Sequence, residues 1–150
     1  MKRLVGLLCA GFLLVGWEVS VEHDADVEWI SEPGMENMPF SSAVRVDKLL
    51  FVSGALGYDA EARALVEGGI GPETRKTLEN IQATLEANGS GMDKVVKCTV
   101  FLADIAEWGA MNEVYMTYFP VNPPARSALG SSGLALGARV EIECLATVSR

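Results

Sequence analysis

Histidine is almost absent from this sequence: among 150 residues there is one, His23, in a polar stretch ahead of the regular pattern. A single imidazole leaves no basis for a zinc site, a Cys/His pair or a Ser/His/Asp triad. Cysteine is nearly as scarce. Cys9, Cys98 and Cys144 match neither a metal knuckle nor a redox CxxC. They imply no disulfide framework, and Cys98 and Cys144, inside strand-like segments, read as small buried hydrophobes. Positive charge is also short, with 12 Lys and Arg against 20 Asp and Glu and a net charge of −8. Such a surface repels nucleic acid and anionic membranes, so an anion must be bound by local design. No phosphate-loop or dinucleotide fingerprint is present, and no cofactor or metal is expected.

A membrane-spanning run is missing too. The apolar stretch Leu4–Trp17 holds 14 residues, short of the roughly 20 that cross a bilayer. With Lys2 and Arg3 before it, the layout is that of a secretory signal peptide. Residues 1–21 are therefore expected to be a signal peptide or an apolar N-terminal segment. Export follows if that segment is a signal, and a cytoplasmic location if it is not.

What remains is a folded single-domain composition, 49% hydrophobic and 21% charged. Val27–Ile30 reads as a short strand and Ser31–Ser41, with two prolines and a glycine, as an ordered loop. Ala43–Val46 and Leu49–Ser53 form strands around a turn at Asp47-Lys48, ended by the glycines of GALG (Gly54–Gly57). The stretch to Gly71 is loop, with one extended piece near 64–66. Pro72 opens a helix whose Leu78, Ile81 and Leu85 recur at helical spacing and whose stop is Asn88-Gly89; Glu73 faces its dipole favourably. Asp93–Leu102 is a strand apolar on both faces, with Val96, Cys98, Val100 and Leu102 on one side and Val95 and Phe101 on the other. A second helix spans about Ile105–Phe119, capped by Asp104, with Trp108, Met111, Tyr115 and Tyr118/Phe119 as its apolar stripe. PARSAL supplies another strand. In Arg139–Val148 the alternation is explicit, with Val140, Ile142, Cys144, Ala146 and Val148 on one face.

Two helices cannot cover both faces of such a sheet. The expected fold is α+β, one mostly antiparallel mixed sheet with both helices packed on one face. Val95, Phe101 and Leu145 leave the second face too apolar for water, so oligomerisation is expected.

Arg126 follows a rigid proline pair, and its guanidinium fork suits a planar carboxylate. Read alone, it is equally a surface arginine or a structural ion pair. Glu141 and Glu143 share a strand face with Arg139. A carboxylate near Arg126 could draw a proton from water, or the three could form a salt-bridged rim. Ser53, Gly54 and Gly57 are a small-residue patch that lets a ligand or a chain approach. Gly130, Gly133 and Gly137 mark a loop of unresolved role. Asn112 is a polar residue beside the stripe of the second helix.

FVSGALG (51–57), TRKTLENI (74–81), KVVKCTVFLADI (94–105), MNEVYMTYF (111–119) and PPARSAL…RVEIECLA (123–146) together resemble the RidA family, also called YjgF/UK114. The resemblance runs from about Phe40 to Val148 and makes 22–150 a RidA-like domain. It implies a chorismate-mutase-like fold and a homotrimer with ligand clefts between subunits. It also implies hydrolysis of reactive enamines and 2-imino acids to 2-oxo acids and ammonia. By the same resemblance Arg126 holds the substrate carboxylate and Glu141 the attacking water. Gly54 and the Ala128 backbone line the pocket, and Asn112 contributes beside or across the cleft. Two positions depart from the family pattern. Phe40 stands where a tyrosine often supplies a hydroxyl, and Ala128 where a cysteine often stands. The alternative function is a non-catalytic trimer, carboxylate-binding or chaperone-like, that uses the same cleft.

Overall fold

A computed structural model describes residues 24–149. The expected signal segment, Cys9 and His23 lie outside the described residues. Along the chain come β1 (Val27–Ile30), β2 (Ala43–Val46), β3 (Leu49–Leu56), β4 (Tyr58–Asp59), β5 (Ala64–Leu65), α1 (Ile70–Ala87), β6 (Val95–Leu102), α2 (Trp108–Tyr118), β7 (Ala125–Gly130) and β8 (Val140–Thr147). Six strands form one sheet in the order β1-β2-β3-β8-β6-β7, while β4 and β5 pair separately. Only β6 and β7 run parallel, and α2 lies in the connection between them.

Both helices pack on one face, as expected. The inner row of β8, Val140, Ile142, Cys144 and Ala146, is buried with Leu50, Val52, Cys98, Val100 and Leu102. Against it α1 sets Leu78, Ile81 and Leu85, each fully buried. Burial of side chains of that size contributes roughly 1.5–3 kcal/mol apiece. The helix stops where Gly89 takes a left-handed φ of 76° and the Ser90 N–H returns to the Leu85 carbonyl at 2.9 Å.

Four expectations change in the folded chain. β3 does not end at Gly54 but continues to Leu56, because a bulge between Val52 and Ala55 absorbs the glycine. β6 carries a second irregularity between Val95 and Lys97. It turns Val95 into the core and Val96 outward, the reverse of strict alternation. Cys98 and Cys144 are buried, but they also form a disulfide, since β6 and β8 place them directly opposite one another. Finally, α2 is shorter than expected. Asp104 caps a separate 3-10 turn (105–107) by accepting the Ala106 N–H at 2.9 Å, and Trp108 is 42% exposed instead of buried in the stripe.

The outer face is unlike that of a water-facing sheet. One row across it runs Trp29, Val44, Phe51, Leu145 and Lys97. Trp29 is 70% and Phe51 45% exposed, and Leu49, Val96 and Leu129 are exposed nearby. Isolated apolar side chains on a surface need no account, but a continuous row does.

Candidate functional site

Arg126 sits on the edge strand β7, level with Cys98 of β6, so its side chain leaves the sheet on the helix-covered face. The proline pair at 123–124 brings the chain into β7 with restricted φ. Three residues of α2, spaced four and three apart, reach the guanidinium. Its Nη1 donates to Asn112 Oδ1 at 2.8 Å. Its central carbon lies 4.5 Å from the Tyr115 ring centre and 5.5 Å from that of Trp108. Asn112, Tyr115, Met116, Phe119, Pro123, Pro124 and Arg126 line an open cavity of about 280 Å³. Among the described residues no acidic side chain pairs with Arg126. Burial pushes the Tyr115 phenol up to about 12, against the opposing pull of Arg126, so the hydroxyl stays neutral.

Glu141 lies elsewhere. Its neighbours Val140 and Ile142 are buried under the helices, so Glu141 points from the opposite, outer face. There it stands between Leu56 of β3 and Phe101 of β6. A Cβ on Gly54 would lie 2.9 Å from Glu141 Cδ, so only glycine lets the carboxyl group settle there. Ser53 anchors this corner, its hydroxyl donating to the Ser41 carbonyl at 2.7 Å. No side chain of the described residues pairs with the Glu141 carboxylate.

The candidate residues thus fall into two halves. Arg126 and Asn112 are together on the helix side. Ala128, two residues further along β7, shares that face and packs against the core. Gly54 and Glu141 are together on the outer side. Phe40, 48% exposed, sits in the loop before β2. Within one chain the sheet separates the guanidinium from the carboxylate. The alternative of a salt-bridged rim of Arg139 with Glu141 and Glu143 does not form. Arg139 pairs instead with Glu107, and Glu143 is exposed.

Two contributions went unread in the sequence. The apolar stripe accounts for Trp108 and Tyr115 only as packing residues, although their spacing with Asn112 at positions i, i+4 and i+7 places all three along one side of α2. Glu73 stands in the first turn of α1, where its charge suits the helix dipole as expected. It is also 4% exposed and its Oε1 accepts the Arg139 N–H at 2.7 Å, a contact no local pattern shows, tying α1 to the entry of β8. A second concavity of about 350 Å³, lined by Val66, Arg75, Lys76, Glu79 and Val114 among others, holds none of the candidate residues.

Residues 31–148 match the family model described as Endoribonuclease L-PSP. The chain is 47% identical over 108 residues to the RutC family protein UK114 of Drosophila melanogaster, covering 72% of this chain and 78% of that protein. It is 44% identical over 108 residues to the 2-iminobutanoate/2-iminopropanoate deaminase of Mus musculus, covering 72% and 80%. Among solved structures it is similar to yeast YEO7, with a TM-score of 0.76, 35% identity, and coverage of 83% of this chain and 100% of that one.

Proposed function

This chain belongs to the Endoribonuclease L-PSP family, the RidA or YjgF/UK114 family, and on that premise we propose that it hydrolyses 2-imino acids to 2-oxo acids and ammonia. The observation that carries the reading is the guanidinium of Arg126, held by a neutral amide and two aromatic faces at the rim of a small cavity, with no acid among the described residues to neutralise it. Such a group pairs with a planar carboxylate through two parallel N–H donors. Related proteins such as the mouse deaminase are named for this reaction on small imino acids.

In the proposed reaction Arg126 fixes the substrate carboxylate. The Glu141 carboxylate takes a proton from a water whose oxygen bonds to the C=N carbon, and the imine nitrogen gains a proton. In the resulting carbinolamine the hydroxyl proton passes to the nitrogen, the C–N bond breaks to release ammonia, and the C=O forms. Because Arg126 and Glu141 leave opposite faces of the sheet, a second copy must supply one of them. The outer-face row Trp29, Val44, Phe51 and Leu145, exposed at Trp29 and Phe51 and half-buried at Val44 and Leu145, supports that association, and a homotrimer with clefts between subunits is the proposed assembly. The test is 2-oxobutanoate formation from freshly generated 2-iminobutanoate. The wild type should accelerate it, and Arg126→Ala should abolish the acceleration while the oligomer persists. Unchanged turnover in that variant would refute the assignment.

One observation favours a second reading. Among the described residues no acidic side chain lines the cavity at Arg126, so a carboxylate could be held there without turnover. Binding of 2-oxobutanoate with no acceleration of imine hydrolysis would select this non-catalytic role.

Export is proposed as well. The basic-then-apolar order of residues 2–17 supports it, and so does a buried disulfide, which persists in oxidising compartments. Mass spectrometry of the mature N-terminus decides the matter: an intact Met1 or Lys2 in protein recovered from its cell argues against cleavage.

A further inference from the structure

We propose that Tyr115 and Trp108 are positioning residues that hold the Arg126 guanidinium for a carboxylate without competing for its charge; this rests on reading Arg126 as the carboxylate holder. An arginine at a cavity rim has to be kept in one orientation, or its side-chain freedom is lost only when the ligand arrives. An acidic neighbour would orient it but would also occupy the fork that the ligand needs. Aromatic faces avoid that conflict. Their quadrupole attracts the cation while leaving its N–H donors unspent and its charge in place.

The local geometry fits this division of labour. Trp108, Asn112 and Tyr115 lie along one side of α2 and all meet the same guanidinium. Asn112 takes one donor at 2.8 Å and contributes no charge. Tyr115 is 4% exposed, and its hydroxyl makes no hydrogen bond. What Tyr115 offers Arg126 is therefore its ring face, and Phe119 braces that ring at 4.7 Å between centres. Trp108, by contrast, is partly exposed and can be altered without opening the core.

Calorimetric titration of the full-length protein with 2-oxobutanoate tests the proposal, alongside imine turnover. Arg126→Ala is the reference for lost binding. Tyr115→Phe and Trp108→Phe keep an aromatic face and should bind within about twofold of the wild type. Tyr115→Leu and Trp108→Leu should each weaken binding by about 2- to 30-fold, the range spanned by a cation–π contact. KM should rise by the same factor with kcat little changed, because the lost interaction is shared by ground and transition states. A merely structural role would lower the melting temperature and leave the affinity of folded protein unmoved. Because Trp108→Leu spares the core, the test survives misfolding of Tyr115→Leu. Wild-type affinity in Trp108→Leu would overturn the inference, as would a loss in Tyr115→Phe equal to that in Tyr115→Leu. Absence of imine hydrolysis in a wild type that still binds 2-oxobutanoate through Arg126 would remove the catalytic reading alone. Failure of the wild type to bind would overturn the clamp together with the carboxylate site.

Discussion

Gly54 and Glu141 occupy one corner of the sheet so closely that a side chain on the first would displace the carboxyl group of the second. The bulge in β3 produces this approach, and the obstructed group is the free end of a flexible side chain. The fold can therefore tolerate a methyl group at residue 54, but the carboxylate cannot keep its place.

Gly54→Ala is accordingly expected to fold and associate as the wild type does while losing on the order of 10- to 100-fold in kcat, the scale of a misplaced catalytic group. Thermal melting and steady-state imine turnover, measured on the same preparation, check it. Wild-type turnover would show that Glu141 does not act from this corner.

The two halves on opposite faces predict complementation. Arg126→Ala and Glu141→Gln should each be nearly inactive, with losses on the order of 10²–10⁴ for the base. Oligomers assembled from both, by co-expression with two affinity tags, should regain part of the wild-type rate, since some clefts then receive both intact groups. If tandem-purified mixtures stay as inactive as their parents, the site does not form across subunits.

The Cys98–Cys144 bridge encloses a sequence separation of 46 residues. Constraint of the unfolded chain by a loop of that size stabilises the fold by about 2–4 kcal/mol. Replacing both cysteines with alanine should lower unfolding free energy by that order in denaturant titrations. Protein unfolded without reductant should show no thiol at either position on alkylation and peptide mapping; labelling of both would show the pair reduced.

Tyr115 predicts an alkaline limit. Burial raises its phenol from an ordinary 10.0 to about 12 in the folded chain. Between those values the unfolded chain has released the proton and the folded one has not, so the unfolded state binds fewer protons and stability falls as pH rises. The contribution is intact below pH 10 and lost through about 12. Denaturant midpoints from pH 9 to 12 should fall less steeply in Tyr115→Phe than in the wild type. Tyr118, whose phenol is also raised, remains in both proteins as an internal comparison. Equal slopes would remove Tyr115 as the cause.

Much of this architecture was legible locally. Leu78, Ile81 and Leu85 announced α1 because the helical period repeats within a few residues, and Val140 to Val148 announced β8 by strict alternation. The bulges escaped, since one extra residue in β3 or β6 is fixed by pairing with β8 and leaves no mark in either strand's own composition. The cysteine bridge escaped for the same reason: Cys98 and Cys144 look like buried apolar residues until the β6–β8 register sets them face to face. Arg126 stands out after its proline pair, but the two aromatic rings that hold it, Trp108 and Tyr115, look locally like packing residues of an apolar stripe.

The sequence by itself determined the first helix, the alternation of β8, the acidic charge and the family resemblance, because each depends on short-range periodicity or on residue identity. Only the tertiary structure decided that Arg126 and Glu141 leave opposite faces of one sheet, that Glu73 is spent on the backbone of Arg139, and that an apolar row stands uncovered on the outer face. Those facts depend on register and bulges between strands far apart in the chain, and non-local pairing is energetically specified only when all the partners are assembled.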